Sequence, residues 1–279
     1  MFKSVGLIAR YDNRQALKLA EELSEYLTRQ NLSVHVEDTL RGKVNVNADF
    51  TPLKSMKTDF LITIGGDGTI LRTCLAIPKP EPPILAINMG VRGFLTEIEP
   101  KEACAAMDRC LKGDFTIEKC CKLAVSTGEE TVPDGLNDVV VSAGEPSKLL
   151  YTQIFKNEEP ILKCQADGLI LATQTGSTGY SLSAGGPVLD LDVDAFVLTP
   201  ICSLTVFRSI VFPADSKVTI KAIRPREMLV LVDGRYRQQT TSENACLTVT
   251  RSKNVTSFIR FKSDYYGRLR NRLLFKGMG

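Results

Sequence analysis

The stretch Phe60-Leu-Ile-Thr-Ile-Gly65-Gly66-Asp67-Gly68-Thr69 decides how the chain is to be read. An apolar run ends in a glycine bend, and residues 70–77 carry on with helical spacing. That is the strand-turn-helix unit from which parallel sheets are wound. Upstream, Ser4–Ala9 reads as a buried strand. A helix follows, with Ala16, Leu17, Leu19, Ala20, Leu23 and Leu27 on one face and Asp12 or Asn13 as its cap. Residues 32–37 and 83–88 supply two more strands. This alternation predicts an α/β N-terminal domain built on a Rossmann-like, doubly wound parallel sheet.

Beyond Pro100 the texture changes. A short helical stretch (Ala103, Ala106, Met107, Leu111) ends near Gly113, and short β patterns then dominate to about residue 262. They fall at 116–125, 138–142, 149–155, 161–164, 169–173, 196–199, 217–222, 228–232 and 246–251. Val232-Asp233-Gly234-Arg235 carries the Asp-Gly pair of a two-residue hairpin turn. The expectation is an all-β, largely antiparallel, sandwich-like C-terminal domain. Residues 264–276 return to helix, with Leu269, Leu273 and Leu274 apolar and Arg268, Arg270, Arg272 and Lys276 charged. A terminal helix of this length needs a docking partner. The boundaries are read as 1–100 plus 263–279 for the α/β domain and 101–262 for the β-rich one.

Composition narrows the function. The chain has 279 residues, 43% hydrophobic and 24% charged, with a net charge of +3. It is globular, long enough for two domains, and not basic enough for nucleic-acid binding to follow from charge. Lys3, Arg10, Asp12 and Arg14 interrupt any N-terminal leader pattern, and no apolar run is long enough to span a bilayer. The eight cysteines form no C-x-x-C pair. They read as small core hydrophobes of a reducing, cytoplasmic compartment. The one histidine, His35, falls on the polar face of a period-2 strand. A multi-histidine metal site is therefore excluded, a Ser-His-Asp or Cys-His mechanism is not expected, and if the chain is an enzyme the expected base is a carboxylate.

Three stretches carry chemistry. In the glycine bend, Gly65, Gly66 and Gly68 let phosphate approach backbone N–H groups at a helix start. Asp67 would repel that phosphate unless it manages a divalent cation or takes a proton from a nucleophile; the plainer alternative makes it an N-cap. The run from Asp167-Gly168 through Thr175-Gly176-Ser177-Thr178-Gly179-Tyr180 to Ser183 is dense in small donors suited to ribose and phosphate, although these are also ordinary loop residues. Asn137-Asp138, at the mouth of a strand, can bind a cis-diol or simply make an Asx-turn.

In this order the stretches resemble the NAD kinase family. The resemblance includes Asn88-Met-Gly-Val-Arg-Gly-Phe94-Leu95 and Gly185-Gly186-Pro187. It implies transfer of a phosphoryl group from ATP, and in some settings polyphosphate, to the 2′-hydroxyl of the adenosine ribose of NAD. Asp67 would be catalytic, either directly or through Mg²⁺. Gly66, Gly68, Thr69 and Arg72 would meet phosphate, and Phe94 would pack on a ring. Asn137 and Asp138 would hold ribose or adenine. Asp167, Thr175, Ser177, Thr178, Tyr180 and Ser183 would complete the dinucleotide contacts. A homodimer or homotetramer is implied as well.

Gln174 stands where the family usually has proline, Gly179 where alanine is common, and Ser203-Leu204-Thr205 lacks the proline and histidine often found there. Two other readings compete: a lipid kinase sharing the glycine bend, with the C-terminal basic residues facing a membrane, and a dinucleotide-binding regulator without catalysis.

Overall fold

The computed structural model describes residues 2–90, 93–127, 132–145, 148–225, 227–240, 245–262 and 264–274. The chain runs β1 (Ser4–Ala9), α1 (Arg14–Arg29), β2 (Ser33–Glu37), β3 (Asp49–Thr51), β4 (Phe60–Gly65), α2 (Asp67–Ala76), β5 (Ile84–Asn88) and α3 (Ala103–Lys112). It continues through β6 (Thr116–Ser126), β7 (Asp138–Ser142), β8 (Leu150–Lys156), β9 (Glu159–Ala166), β10 (Gly168–Ala172), α4 (Tyr180–Ser183), β11 (Ala195–Ile201) and β12 (Ile210–Pro213). The last elements are β13 (Val218–Arg224), β14 (Met228–Val232), β15 (Tyr236–Thr240), β16 (Cys246–Arg260) and α5 (Tyr265–Leu274).

Two compact units result, residues 1–119 with 256–279, and residues 120–255. The partition lies later along the chain than the change of texture at Pro100 because α3 joins the first unit. Its Ala103, Ala106, Met107 and Cys110 are buried in the same cluster as β1, β4 and α1. Ile259, near the end of β16, enters that core too.

In the first unit the strands are ordered β3-β2-β1-β4-β5, all parallel. The order reverses between β1 and β4, the place where doubly wound sheets bind ligands at the carboxyl ends of their strands. Every residue of β4 is buried, as expected for a strand covered on both faces. Asn13 caps α1, its side chain accepting the Ala16 N–H at 3.0 Å. Asp12 pairs instead with Arg10.

The second unit is antiparallel. One six-stranded sheet is ordered β12-β11-β10-β7-β14-β15. A second antiparallel set runs β9-β8-β13-β16.

Several expectations need amending. The edge strands β3, β12 and β15 did not stand out, being short, proline-ended or polar (Tyr-Arg-Gln-Gln-Thr). β16 runs to Arg260 rather than 251, because Ser252 and Asn254, which break the apolar pattern, satisfy their side chains on Asp134 Oδ2 at 2.5 and 2.7 Å. At the hairpin, Asp233 and Gly234 both take positive φ (50° and 64°), and Arg235 N–H donates to Val232 O at 3.0 Å, as a tight primed turn requires. Yet Val232 stands opposite Tyr236, which leaves three residues rather than two in the loop.

Cys104 and Cys202 are exposed, so not all of the thiols are core residues. His35 is half-buried, with Nε2 3.2 Å from Ser33 Oγ and Nδ1 3.3 Å from Thr51 Oγ1. Val91, Arg92 and Lys276 lie outside the described residues, as do the side chains of Arg272, Leu273 and Leu274.

Leu23 is fully buried on α1 and Lys18 is exposed on its other face. Leu23→Ala is expected to lower the unfolding free energy by about 2–5 kcal/mol in a urea titration. Lys18→Ala should stay within about 0.5 kcal/mol in the same titration.

Candidate active site

The first cluster forms where β4 ends. Gly66 takes the cap position of α2 in an extended conformation (φ −105°, ψ −172°), and Asp67 is the first helical residue. A methyl on Gly65 would fall 2.2 Å from the Thr69 hydroxyl, whereas one on Gly66 would meet nothing within 4 Å. The bend is thus closed on its Gly65 side and open above Gly66, leaving its backbone approachable at a helix N-terminus.

Asp67 does not cap its own helix. Its carboxylate accepts the backbone N–H of Phe94 on Oδ2 (3.0 Å) and of Leu95 on Oδ1 (3.1 Å). Gly93 makes this possible, since a methyl there would sit 2.4 Å from Asp67 Oδ1. Each carboxylate oxygen keeps a further lone pair for a hydroxyl or a cation. Gly93 was legible only as part of a longer motif; its work is steric.

Arg72 is engaged elsewhere. Its guanidinium forks onto the buried Glu37, with Nη2 2.7 Å from Oε2 and Nη1 on Oε1. Its remaining N–H groups stay available. Phe94 is buried, its ring edge-on to Tyr265 with centroids 5.7 Å apart. Phe94 meets Asp67 through its backbone N–H. Arg268, expected on a solvated helix face, is partly buried, with Nη2 2.7 Å from Glu118 Oε2.

The second cluster belongs to the β-rich unit. Asp233, at the β14–β15 turn, accepts three backbone N–H groups: Leu136 at 2.8 Å, Asn137 at 2.7 Å and Asp138 at 3.1 Å. Thr173 closes the other side, its hydroxyl donating to Leu136 O (2.7 Å) and its N–H to Asn137 O (2.9 Å). Gly176 must be glycine, because a methyl would lie 1.9 Å from Asn137 O. The Asn137-Asp138 turn and the hydroxyl-rich loop are therefore one interlocked body.

Among the described residues Asn137 Oδ1 is buried without a hydrogen-bond partner. Asn137 Nδ2 and Asp138 Oδ2 both lie about 4 Å from where a Gly179 methyl would project. Glycine at 179 thus leaves that methyl's space free beside both side chains.

Burial, reinforced by Asp233, pushes the Asp138 carboxyl up to about 7. Burial raises Asp233 as well, against the pull of its three N–H donors and of the fully buried Lys122. Burial thus favours the protonated form of both carboxyls, and at Asp138 the neighbouring Asp233 adds to it. Asp233 was read from sequence only as a turn residue, and Lys122 was not singled out.

The loop hydroxyls are largely internal. Ser177 donates to Gln174 O (2.6 Å) and accepts Leu189 N–H (2.9 Å), and Thr178 donates to Thr175 O (3.0 Å). Thr175, Ser177 and Thr178 are buried, while Tyr180 and Ser183 are exposed. Asp167 is exposed at the opposite end of β10 from this loop, so within one chain it is not brought to Asn137 and Asp138. Gln174, in the place of a proline, donates to Val193 O (2.8 Å) and accepts the Cys121 thiol (2.7 Å).

Both halves of the chain match known proteins. Residues 5–115 match the ATP-NAD kinase N-terminal domain, and residues 136–261 match the ATP-NAD kinase C-terminal domain. The chain is 35% identical over 277 residues to the NAD kinase of Methanothermobacter thermautotrophicus, covering 98% of this chain and 97% of that protein. It is 39% identical over 264 residues to the NAD kinase of Thermococcus sibiricus, covering 94% and 95%. The crystal structure of yeast NADH kinase complexed with NADH superposes with a TM-score of 0.87 at 25% identity, over 99% of this chain and 89% of that one. The fold is also that of an NAD kinase from Archaeoglobus fulgidus in complex with ATP, with a TM-score of 0.76 at 24% identity over 96% and 99% of the two chains.

A parallel sheet with an acid in its glycine bend, in one chain with a β-rich unit that has its own polar turn, defines a nucleotide phosphotransferase. The chain belongs to the NAD kinase family.

Two outcomes test the geometry. Gly93→Ala is expected to drive Asp67 off the Phe94 and Leu95 N–H groups, visible as a displaced carboxylate in a crystal structure at unchanged fold. For Asp138, the unfolded chain gives up the proton near 3.8 and the folded chain near 7, so its contribution is intact below about pH 4 and is lost as pH rises to 7. Asp138→Asn should then raise the unfolding free energy at pH 8 by roughly 2–4 kcal/mol and leave it unchanged at pH 4.

Proposed function

We propose that Asp67 is the catalytic residue of this kinase and that the Asn137-Asp138 turn holds its dinucleotide. The activity is transfer of the terminal phosphoryl group of ATP to the 2′-hydroxyl of the adenosine ribose of NAD, yielding NADP. The observation that carries the assignment of Asp67 is its fixed carboxylate at the head of α2, bound on both oxygens by backbone N–H groups. A carboxylate so anchored spends no energy on reorganisation when a hydroxyl proton must be accepted, and phosphoryl transfer rests mainly on positioning and charge.

In this reading the main chain of Gly66, Gly68 and Thr69 meets phosphate oxygens, with the free N–H groups of Arg72 as cationic support. Asn137 and Asp138 meet ribose hydroxyls or adenine, and the raised Asp138 carboxyl can donate as well as accept when it holds its proton. Thr175, Ser177 and Thr178 act by shaping the loop. Tyr180, Ser183 and Asp167 offer exposed groups to the dinucleotide.

Among the described residues no three His, Cys, Asp or Glu side chains form a metal cage. A lone aspartate next to phosphates suits Mg²⁺ that arrives on the triphosphate, and such an ion would neutralise charge on the transferring group. Polyphosphate as a second donor, a homodimeric or homotetrameric assembly and cytoplasmic residence complete the proposal. No helix among the described residues is long and apolar enough to cross a membrane.

Asp67→Asn keeps a similar shape and the helix start. The variant is expected to melt within a few degrees of the parent and to bind NAD in calorimetry. In a coupled NADP assay it should lose at least about 100-fold in kcat. Turnover close to the parent's would mean that Asp67 is not the catalytic residue. Phosphorylation of diacylglycerol or sphingosine in liposomes, with none of NAD, would favour the lipid-kinase alternative.

A further inference from the structure

The backbone that grips Asp67 is itself gripped. Leu95, whose N–H reaches Asp67 Oδ1, gives its carbonyl oxygen to Arg260 Nη1 at 2.9 Å. Arg260 is 3% exposed. Its Nε and Nη2 reach Glu118 Oε1 at 2.9 and 2.6 Å, and its Nη1 lies 3.2 Å from Glu97 Oε2. Glu97 Oε1 also accepts the Phe261 N–H at 2.7 Å. From α5, Arg268 completes the cluster, with Nη2 2.7 Å from Glu118 Oε2 and Nη1 3.9 Å from Glu97 Oε2.

A second route runs through aromatic rings. Phe94, whose N–H reaches Asp67 Oδ2, packs edge-on against Tyr265 in the first turn of α5. The helix is set at that point by Asp264, whose Oδ1 accepts the Gly267 N–H at 3.0 Å. A cavity of 320 Å³ lies against these parts, lined among others by Asn88, Gly93, Thr96, Asp264 and Arg268. The loop over 93–99 thus borders open space on one side, and α5 restrains it there alongside Arg260 of β16 and the bonds of residues 97 and 98 to β5. Burial would raise Glu118, but Arg260 and Arg268 more than offset it and hold the carboxyl below its ordinary range.

Resting on the catalytic role of Asp67, we propose that Tyr265 and Arg268 of α5 are positioning residues, fixing the Phe94–Leu95 backbone from which the catalytic carboxylate hangs. Neither needs to touch substrate. The effect expected of such residues falls on kcat, because a displaced carboxylate still allows the dinucleotide to bind.

The test compares full-length Tyr265→Ala, Arg268→Ala and their double variant with the conservative Tyr265→Phe. The double variant should lose about 10- to 100-fold in kcat for NADP formation, with KM for NAD and ATP within about twofold. Tyr265→Phe, which keeps the ring, should remain within about twofold of the parent. Amide hydrogen exchange over 93–98 should accelerate at least about tenfold in the double variant while Ser4–Ala9 keeps its protection.

Unchanged exchange over 93–98 would overturn the proposal, as would parent-like kcat in the double variant or exchange that rises across the whole sheet. If the parent chain forms no NADP, the role of Asp67 falls, and the exchange measurement still decides whether α5 braces the loop.

Discussion

A carboxylate pinned by two amides and a missing methyl is the constraint on which the rest of the first unit depends. Anions near a helix start are ordinarily welcome, so Asp67 in itself strains nothing. What is unusual is that its oxygens turn away from its own helix, toward Phe94 and Leu95. The glycine at 93 leaves room for them, and the glycines at 65 and 66 set where the side chain departs. The parallel sheet delivers this bend at the strand-order reversal between β1 and β4. Glu37, at the end of β2, takes up the arginine one turn further along α2.

The same device recurs in the β-rich unit. Asp233 gathers three successive backbone donors, and the turn it shapes presents Asn137 and Asp138. In both places an acid is located by N–H groups of the main chain, with ionic partners at most in the background. Main-chain donors have little freedom to relax, so both carboxyls are held in place. Two buried acids side by side cannot both ionise cheaply, and burial raises both, with the amide donors opposing the rise at Asp233 and the neighbouring acid adding to it at Asp138.

Much of this was legible in the amino-acid sequence, and the parts that were not share a cause. Periodicity located most of the parallel and antiparallel strands, because burial on one or both faces leaves an apolar imprint. It missed β3, β12 and β15, and it stopped β16 short, because edge strands and side chains satisfied by a distant Asp134 leave no such imprint. Family resemblance pointed to Asp67 and Asn137-Asp138. It did not tell that the hydroxyls of Ser177 and Thr178 are spent within their own loop. Nor did it tell that Phe94 packs edge-on with Tyr265 or that Arg72 is held by Glu37. Contacts across tens of residues carry no local signature. Asp233 and Arg268 looked like a turn residue and a solvated charge for that reason.

The division of β16 has a consequence for how the chain is made. Residues up to 255 belong to the β-rich unit, yet Ile259 completes the core around β1 and β4, and Phe258 stands beside Ile84. A ribosome that has released the first 119 residues has therefore not yet released everything their core requires. The core of the first unit is thus completed only after residues 120–255 have been made, and until then the sheet edge beside β5 lacks its β16 partner.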